Sequence, residues 1–198
     1  LVPGGRFNSM YGWDTAFPVF AWAGEHPQLM REQVDNQLYQ ILMYGKVLNA
    51  NRTYHLSRSQ PPLIAPMVQA VYTAAQGRDW KEFDGLGNYS SAKAWLAAAL
   101  PMLEKYYIYW TSGDRLAGDT GLSRYWDEAD VPAPEALVGE PGHFEQAHER
   151  YVRRVNDTEE QSIFFNDKAD ELTPLYYRAD RAMRASGFDP NSHWGYGG

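Results

Sequence analysis

Cysteine is absent from all 198 residues, which excludes disulfides and thiolate chemistry within this chain. This absence suits a cytosolic protein and equally suits a periplasmic or secreted protein that never used disulfides. Basic side chains are also in the minority, because 18 Lys and Arg are set against 25 Asp and Glu, and the formal charge is −7. Such a chain has no basic surface for a phosphate backbone, so we expect no nucleic-acid partner.

Long apolar runs are absent as well, since no stretch approaches the ~18 to 20 residues that cross a bilayer. We therefore predict a soluble protein without a membrane partner, located in the cytoplasm, the periplasm or outside the cell. No motif has the spacing of a metal site, and His143 and His148 do not form the HExxH zinc pattern. We predict no cofactor and no metal ligand in this chain.

The composition is otherwise that of a folded globular chain, with 44% hydrophobic and 22% charged residues. Aromatic residues are unusually frequent at 15%, with 7 Trp and 14 Tyr. A core of this size needs fewer rings, so we expect some of them to line a surface or a pocket. The chain opens at LVPGG without a start Met and stops at HWGYGG, so we expect a piece of a longer protein.

Hydrophobic spacing predicts helices along the chain, and no segment alternates convincingly with period two. The clearest helix is predicted at 29–45, where an apolar stripe consists of Leu29, Met30, Val34, Leu38, Ile41 and Leu42. Further helices are predicted at 61–77, 90–113, 143–155 and 166–187. The long loops between them, such as 111–142, are of the kind that carries function. The resulting prediction is an all-α fold built as a ring of helical hairpins.

Proline, serine and glycine residues mark the expected ends of the helices. Pro61 and Pro62 open the second predicted helix, and Gly77 closes it. Ser91 is the expected N-cap of the third helix, and the glycines at 113 and 187 end the third and the last helices.

Four loop segments bring together planar cations or amides, carboxylates and aromatic rings. They are residues 3–14, 49–62, 121–135 and 184–198. A sugar offers apolar C–H faces for an indole and a rim of hydroxyls for fixed polar groups. Any one of these segments alone is better explained as a hydrogen-bonded loop, but four in one chain favour a site for a neutral polyol.

The four segments also resemble the motifs of one family. PGGRFNSMYGWD resembles the PGGRF…Y.WD signature of the α,α-trehalase family of glycoside hydrolases, and NANRTYHLSRSQPP is similar to its N.NR.YY..RSQPP segment. DTGLSRYWDE followed by PAPE is similar to the family's glycine-leucine-x-arginine-tyrosine loop, and RASGFD to its R-E-S-G-x-D catalytic segment. The motifs keep the family's order over residues 2–189, and the opening is especially similar to that of neutral-type trehalases.

The resemblance implies an inverting hydrolase that splits the small-molecule substrate trehalose into two glucose molecules. The implied fold is a portion of an (α/α)6 toroid with six inner and six outer helices. The positions that match substrate-binding residues of the family are Arg6, Trp13, Asp14, Asn49, Arg58, Ser59, Gln60, Glu135, Arg184 and Gly187. Asp189 matches the general acid. An inverting glycosidase needs one protonated carboxyl to donate to the glycosidic oxygen and one carboxylate to activate water.

The second carboxylate is missing from this chain, because the family's general base is a Glu that follows the catalytic Asp beyond residue 198. We therefore expect residues 1–198 to be the N-terminal part of one trehalase-like catalytic domain. Alone, this part is expected to be inactive.

Four positions depart from the family pattern. Ser9 and Ala185 stand where Glu is usual, His55 where Tyr is common, and Ala133 where many members have Arg. These departures leave two alternatives open. One is a related toroidal glycosidase that acts on another short glucoside or a glycosyl-glycerate, and the other is a non-catalytic sugar-binding remnant.

Overall fold

The computed structural model describes residues 2–135 and 169–188, and the side chains of 2–135 and 177–188. The chain divides into two compact units, Leu1–Arg124 and Tyr125–Gly198. Within the described residues every regular element is helical, and only isolated β-bridges occur. The helices are α1 (Ala16–Ala21), α2 (Pro27–Tyr44), α3 (Ile64–Ala74), α4 (Ala92–Trp110) and α5 (Ala169–Ser186). The predicted all-α fold is confirmed, while the helix predicted at 143–155 lies outside the described residues.

Helix α2 confirms the clearest sequence prediction. It ends at Tyr44 and is followed by Gly45, whose φ of 77° is a left-handed conformation that favours glycine. Its buried apolar residues are Met30, Val34, Leu38 and Ile41. The stripe predicted from spacing was wrong at its edges, since Leu29 and Leu42 are 44% and 57% exposed.

The two exposed leucines lie at different places on α2. Leu29 is the third residue of the helix, in its first turn. Leu42 lines an open surface groove with Leu86 and Met102. The buried face of α2 instead includes Gln37 and Gln40, which are 1% and 6% exposed.

Helix α3 begins at Ile64, three residues later than predicted. Pro61 and Pro62 do not open it. Pro61 precedes another proline and is therefore disfavoured in the helical region. Helix α4 confirms its predicted cap, since Ser91 Oγ accepts a hydrogen bond from Ala94 N at 3.2 Å. Gly187, with a φ of 74°, follows the last residue of α5 as predicted.

The core of the first unit lies where α1, α2, α3 and α4 meet. Helix α2 is central, since it packs against each of the other three. The side chains that are at most 2% exposed there include Ala16, Val19, Met30, Val34, Ile41, Ile64, Met67, Val68, Val71, Phe83, Trp95 and Ala99. None of the described helices is long and apolar enough to cross a membrane.

A buried ion pair fixes the connection between α3 and α4 on the side of α2. Arg31 Nε lies 3.1 Å from Asp35 Oδ2, and the Arg31 guanidinium donates to the backbone oxygens of Phe83, Leu86 and Gly87 at 2.7–3.0 Å. Asp35 Oδ1 accepts a hydrogen bond from the Trp95 indole at 2.7 Å. This network holds the irregular segment 83–87 against α2 with charged groups that are almost fully buried.

Candidate functional site

The opening segment is a tight turn that presents Arg6 to solvent. Gly4 and Gly5 have φ values of 94° and 61°, which a residue with a side chain rarely adopts. Phe7 N donates to Gly4 O at 3.1 Å and Val2 N to Ser9 O at 3.0 Å, which closes the turn. Arg6 is exposed, and its Cζ lies 4.9 Å from the centroid of the Phe7 ring. Within the part of the chain that the structure describes, Arg6 forms no ion pair with Asp14.

The opening segment is joined to the second motif by backbone bonds around Gly12. Gly12 N donates to Asn49 O at 3.0 Å, and Asn51 N donates to Met10 O at 3.2 Å. A Cβ at Gly12 would lie 2.9 Å from Leu48 O, so no other residue fits this crossing without a backbone shift. Two of the four motif segments therefore meet directly in the first unit.

Trp13 and Asp14 follow this crossing in the turn that leads into α1. Trp13 N donates to Gln60 Oε1 at 3.2 Å, and the Trp13 ring packs edge-on against Phe17 at 5.8 Å. Both Trp13 and Asp14 are half-buried, which leaves part of each side chain accessible. Burial raises the pKa of Asp14 above its ordinary value, and a hydrogen bond from its own backbone opposes that effect.

The raised pKa of Asp14 predicts a specific pH dependence of stability. As the pH rises from the ordinary carboxyl pKa through the raised one, the unfolded chain loses its proton first, so this group makes the fold less stable with rising pH. Asp14→Asn removes that titration. We expect the melting temperature of the Asn variant, relative to wild type, to be higher at pH 7 than at pH 3.5, as measured by thermal unfolding across that range. A variant whose relative stability falls over the same interval would contradict the prediction.

The second motif is buried and hydrogen-bonded within the protein. Asn49 Oδ1 accepts from Arg58 Nε at 2.7 Å, the hydroxyls of Ser59 and Tyr106 share a hydrogen bond at 2.7 Å, and Gln60 holds Trp13 as described. The four predicted residues Asn49, Arg58, Ser59 and Gln60 are each at most 6% exposed. In the first unit the accessible predicted groups are therefore Arg6, Trp13 and Asp14, and of the buried four Asn49 and Gln60 bond the opening segment directly.

The second unit contains the other predicted residues. Arg184 Nε lies 2.9 Å from Asp180 Oδ2, and Arg184 Nη1 lies 3.9 Å from Glu135 Oε1. The structure thus brings together two predicted residues, Arg184 and Glu135, while Gly187 ends α5. Asp189 lies outside the described residues.

A second buried ion pair holds the C-terminal half of α5. Arg181 Nε lies 3.1 Å from Asp127 Oδ2, with side chains 3% and 0% exposed. Arg181 Nη1 also donates to the backbone oxygens of Val131 and Pro132 at 3.3 and 3.2 Å. These contacts attach the loop that carries Glu135 to the helix that carries Arg184.

Sequence reasoning missed residues that support the site. Gln37 donates to Gly12 O at 2.6 Å, and Tyr106 bonds Ser59. Arg52, a polar residue of the second motif, donates from Nε to Ser9 Oγ at 2.6 Å. Ser9 therefore has a bonded role although the family pattern has Glu there. The only local signal was for Gln37, which is a polar residue inside the apolar face of a predicted helix.

A cavity of about 470 Å³ lies beside α2, against the segment 48–56. Its walls include Gln33, Asn36, Tyr39, Tyr44 and Arg52, and none of its lining residues is an Asp or Glu. It cannot supply the two carboxyls of glycoside hydrolysis. Among the described residues there is also no group of three His, Asp or Glu that could hold a metal ion.

Comparison with known proteins gives consistent results over nearly the whole chain. A sequence model described as trehalase matches residues 1–194. The cytosolic neutral trehalase of Neurospora crassa is 34% identical over 194 residues, which cover 96% of this chain and 24% of that protein. The periplasmic trehalase of Xanthomonas campestris is 34% identical over 209 aligned positions, which cover 98% of this chain and 30% of that protein.

A solved structure is similar as well. The neutral trehalase Nth1 from Saccharomyces cerevisiae matches with a TM-score of 0.67 and 31% identity, over 96% of this chain and 33% of that chain. The chain thus spans about a quarter to a third of the length of these relatives.

Proposed function

Because this chain belongs to the trehalase family, we propose that the protein containing it hydrolyses trehalose to two glucose molecules with inversion at the anomeric carbon. The observation that carries this proposal is the 34% identity to trehalases over 96% of the chain. We further propose that residues 1–198 are the N-terminal part of one (α/α)6 catalytic domain. The helical fold and its similarity to a solved neutral trehalase support that assignment. The relatives reported above favour neither of the two alternative functions.

Glucose recognition is assigned first to the accessible groups of the opening segment. Arg6 would donate to sugar hydroxyls through its planar guanidinium, and Asp14 would accept from them. Trp13 would offer its ring face to the C–H surface of the sugar or its N–H to a hydroxyl. The buried Asn49, Arg58, Ser59 and Gln60 would support this surface, and Glu135, Arg184 and Gly187 complete the proposed substrate-binding set.

Asp189 is proposed as the general acid. It would protonate the glycosidic oxygen while the bond to the anomeric carbon breaks, and a carboxylate from a part of the protein beyond this chain would deprotonate the attacking water. The water attacks the face opposite the leaving glucose, so the new hydroxyl has the opposite anomeric configuration. No metal or cofactor takes part in this proposed scheme.

The stereochemistry gives a direct test of the proposed function. Proton NMR during the first minutes of trehalose hydrolysis separates α-glucose from β-glucose before mutarotation mixes them. Inversion predicts equal amounts of the two anomers, because one glucose is released as the α leaving group and the other gains a β hydroxyl. Release of α-glucose alone would overturn the inverting mechanism, and the absence of any glucose would overturn the substrate assignment.

Residues 1–198 expressed alone are expected to release no glucose from trehalose above background. The reason is that activation of water requires the second carboxylate, which we place outside this chain. The longer protein, assayed at the same molar concentration, is the control. Turnover by residues 1–198 alone would show that a carboxylate of this chain is the base.

Arg6→Ala and Asp14→Ala are each expected to lower kcat/KM for trehalose about tenfold or more, because each leaves sugar hydroxyls without a partner. The melting temperature should barely move for Arg6→Ala, since the side chain is exposed and lies over the Phe7 ring. The control is Arg78→Ala, which should keep kcat/KM. Arg78 also lies in the first unit, and its ion-pair partner Glu82 is exposed. Variants that lose several degrees of stability and keep normal kcat/KM would show that the opening segment is only scaffold.

A further inference from the structure

Two glutamines of α2 hold the crossing between the opening segment and the second motif. Gln37 Nε2 donates to Gly12 O at 2.6 Å, and Gln40 Oε1 accepts from Leu48 N at 2.8 Å. They are 1% and 6% exposed. We call Gln37 and Gln40 the α2 glutamine pair. Because they are three residues apart, they lie on the same side of the helix, one opposite each segment.

The contacts of the α2 glutamine pair flank the backbone bond that joins the two segments. Gly12 N donates to Asn49 O at 3.0 Å and Gly12 O accepts from Gln37, so both peptide groups of Gly12 are hydrogen-bonded. The next residue along the chain, Trp13, is held by Gln60 Oε1 at 3.2 Å. The backbone that leads to Trp13 and Asp14 is therefore held by Gln37 of α2 and by Asn49 and Gln60 of the second motif.

Packing alone does not call for amides at these positions. The neighbouring buried residues of α2 are Val34, Leu38 and Ile41, and an apolar side chain at 37 would fill the same space but leave Gly12 O without its donor. Gln37 instead directs its donor to a carbonyl 25 residues away in the chain, in the segment with the proposed sugar-binding groups. Close approach at Gly12, where a Cβ would lie 2.9 Å from Leu48 O, leaves the crossing little freedom to adjust.

We infer that Gln37 is a positioning residue for the proposed trehalose site, acting through Gly12 to set the placement of Trp13 and Asp14. Gln40 has the parallel role toward Asn49 through Leu48. This inference rests on the proposed function for its effect on catalysis. Its effect on the backbone of the opening segment is independent of what the substrate is.

The test compares Gln37→Met with Val34→Ala in the protein that contains this chain. Met keeps the length and apolar volume at 37 and removes the donor, whereas Val34→Ala removes core volume one turn earlier on the same helix. Gln37→Met should lower kcat/KM for trehalose about tenfold at 25 °C, while Val34→Ala should stay within about twofold of wild type despite a lower melting temperature. Gln40→Met, which removes the opposite contact, should also lower kcat/KM.

Amide hydrogen exchange provides a second measurement that does not depend on the substrate. The peptide covering residues 10–16 should exchange about tenfold faster in Gln37→Met than in Val34→Ala, while the peptide covering α3 should exchange alike in both. Equal exchange and normal kcat/KM in Gln37→Met would overturn the inference and make Gln37 a core residue. Faster exchange together with no trehalose hydrolysis by wild type would overturn the proposed function and leave the positioning role supported.

Discussion

Replacing Asp189 with Asn is expected to reduce kcat for trehalose by roughly 10²- to 10⁴-fold, the range that general acid catalysis contributes. Asn has nearly the same shape and can still bond a sugar hydroxyl, but it has no proton to give to the glycosidic oxygen. Binding of trehalose should therefore persist. Unchanged turnover would remove Asp189 from the role of acid.

Two comparisons separate loss of the acid from damage to the fold. α-Glucosyl fluoride has a leaving group that needs little protonation, so its hydrolysis should be reduced far less by Asp189→Asn than that of trehalose. Asp130→Asn is the matched control, because Asp130 is an exposed aspartate whose contact with Arg178 is 3.5 Å long, and it should keep full activity. Equal loss on both substrates would indicate that Asp189 positions the sugar and does not donate the proton.

Replacing Arg31 with Met is expected to destabilise the protein by about 3 to 5 kcal/mol, the cost of leaving one member of a buried ion pair without its partner. Asp35 would remain buried with only the Trp95 indole to bond it, and three backbone oxygens in 83–87 would lose their donor. Thermal unfolding should show a melting temperature lower by roughly 10 °C. We expect the substitution to lower the free energy of unfolding and not to change the chemistry at the proposed site, because none of these groups is part of that site.

Arg78→Met is the matched control for Arg31→Met. Arg78 and Glu82 form an ion pair with the same spacing of four residues, but their side chains are 29% and 44% exposed. Exposed pairs contribute at most about 1 kcal/mol, and the contacts of Arg78 with Ala23 O and Gly24 O are long at 3.5 and 3.4 Å, so the melting temperature should fall much less than for Arg31→Met. The double variant Arg31→Met with Asp35→Leu should recover part of the loss, since no charge then remains buried without a partner. A double variant no more stable than Arg31→Met would assign the loss to the three backbone oxygens.

The candidate site shows where sequence information was sufficient and where it was not. The motif resemblance selected Gln60 and Asn49, and the structure places both beside the opening segment, where they bond Trp13 and Gly12 through side chain and backbone respectively. Their burial could not be read from the motif, because a sequence pattern does not say whether an amide faces a ligand or another part of the chain. Gln37 was not selected at all, since its partner lies 25 residues away.

The sequence by itself determined the helices α2, α3, α4 and α5, the cap at Ser91 and the family. Helical periodicity and capping depend on residues within one or two turns of each other, so they can be recognised without knowing the rest of the fold. Only the tertiary structure decided that Leu42 is exposed while Gln37 and Gln40 are buried, and that Arg6 is accessible while Arg58 is not. These outcomes depend on which distant segment covers each side chain and offers it a hydrogen bond, and that is fixed only when the helices and loops pack together.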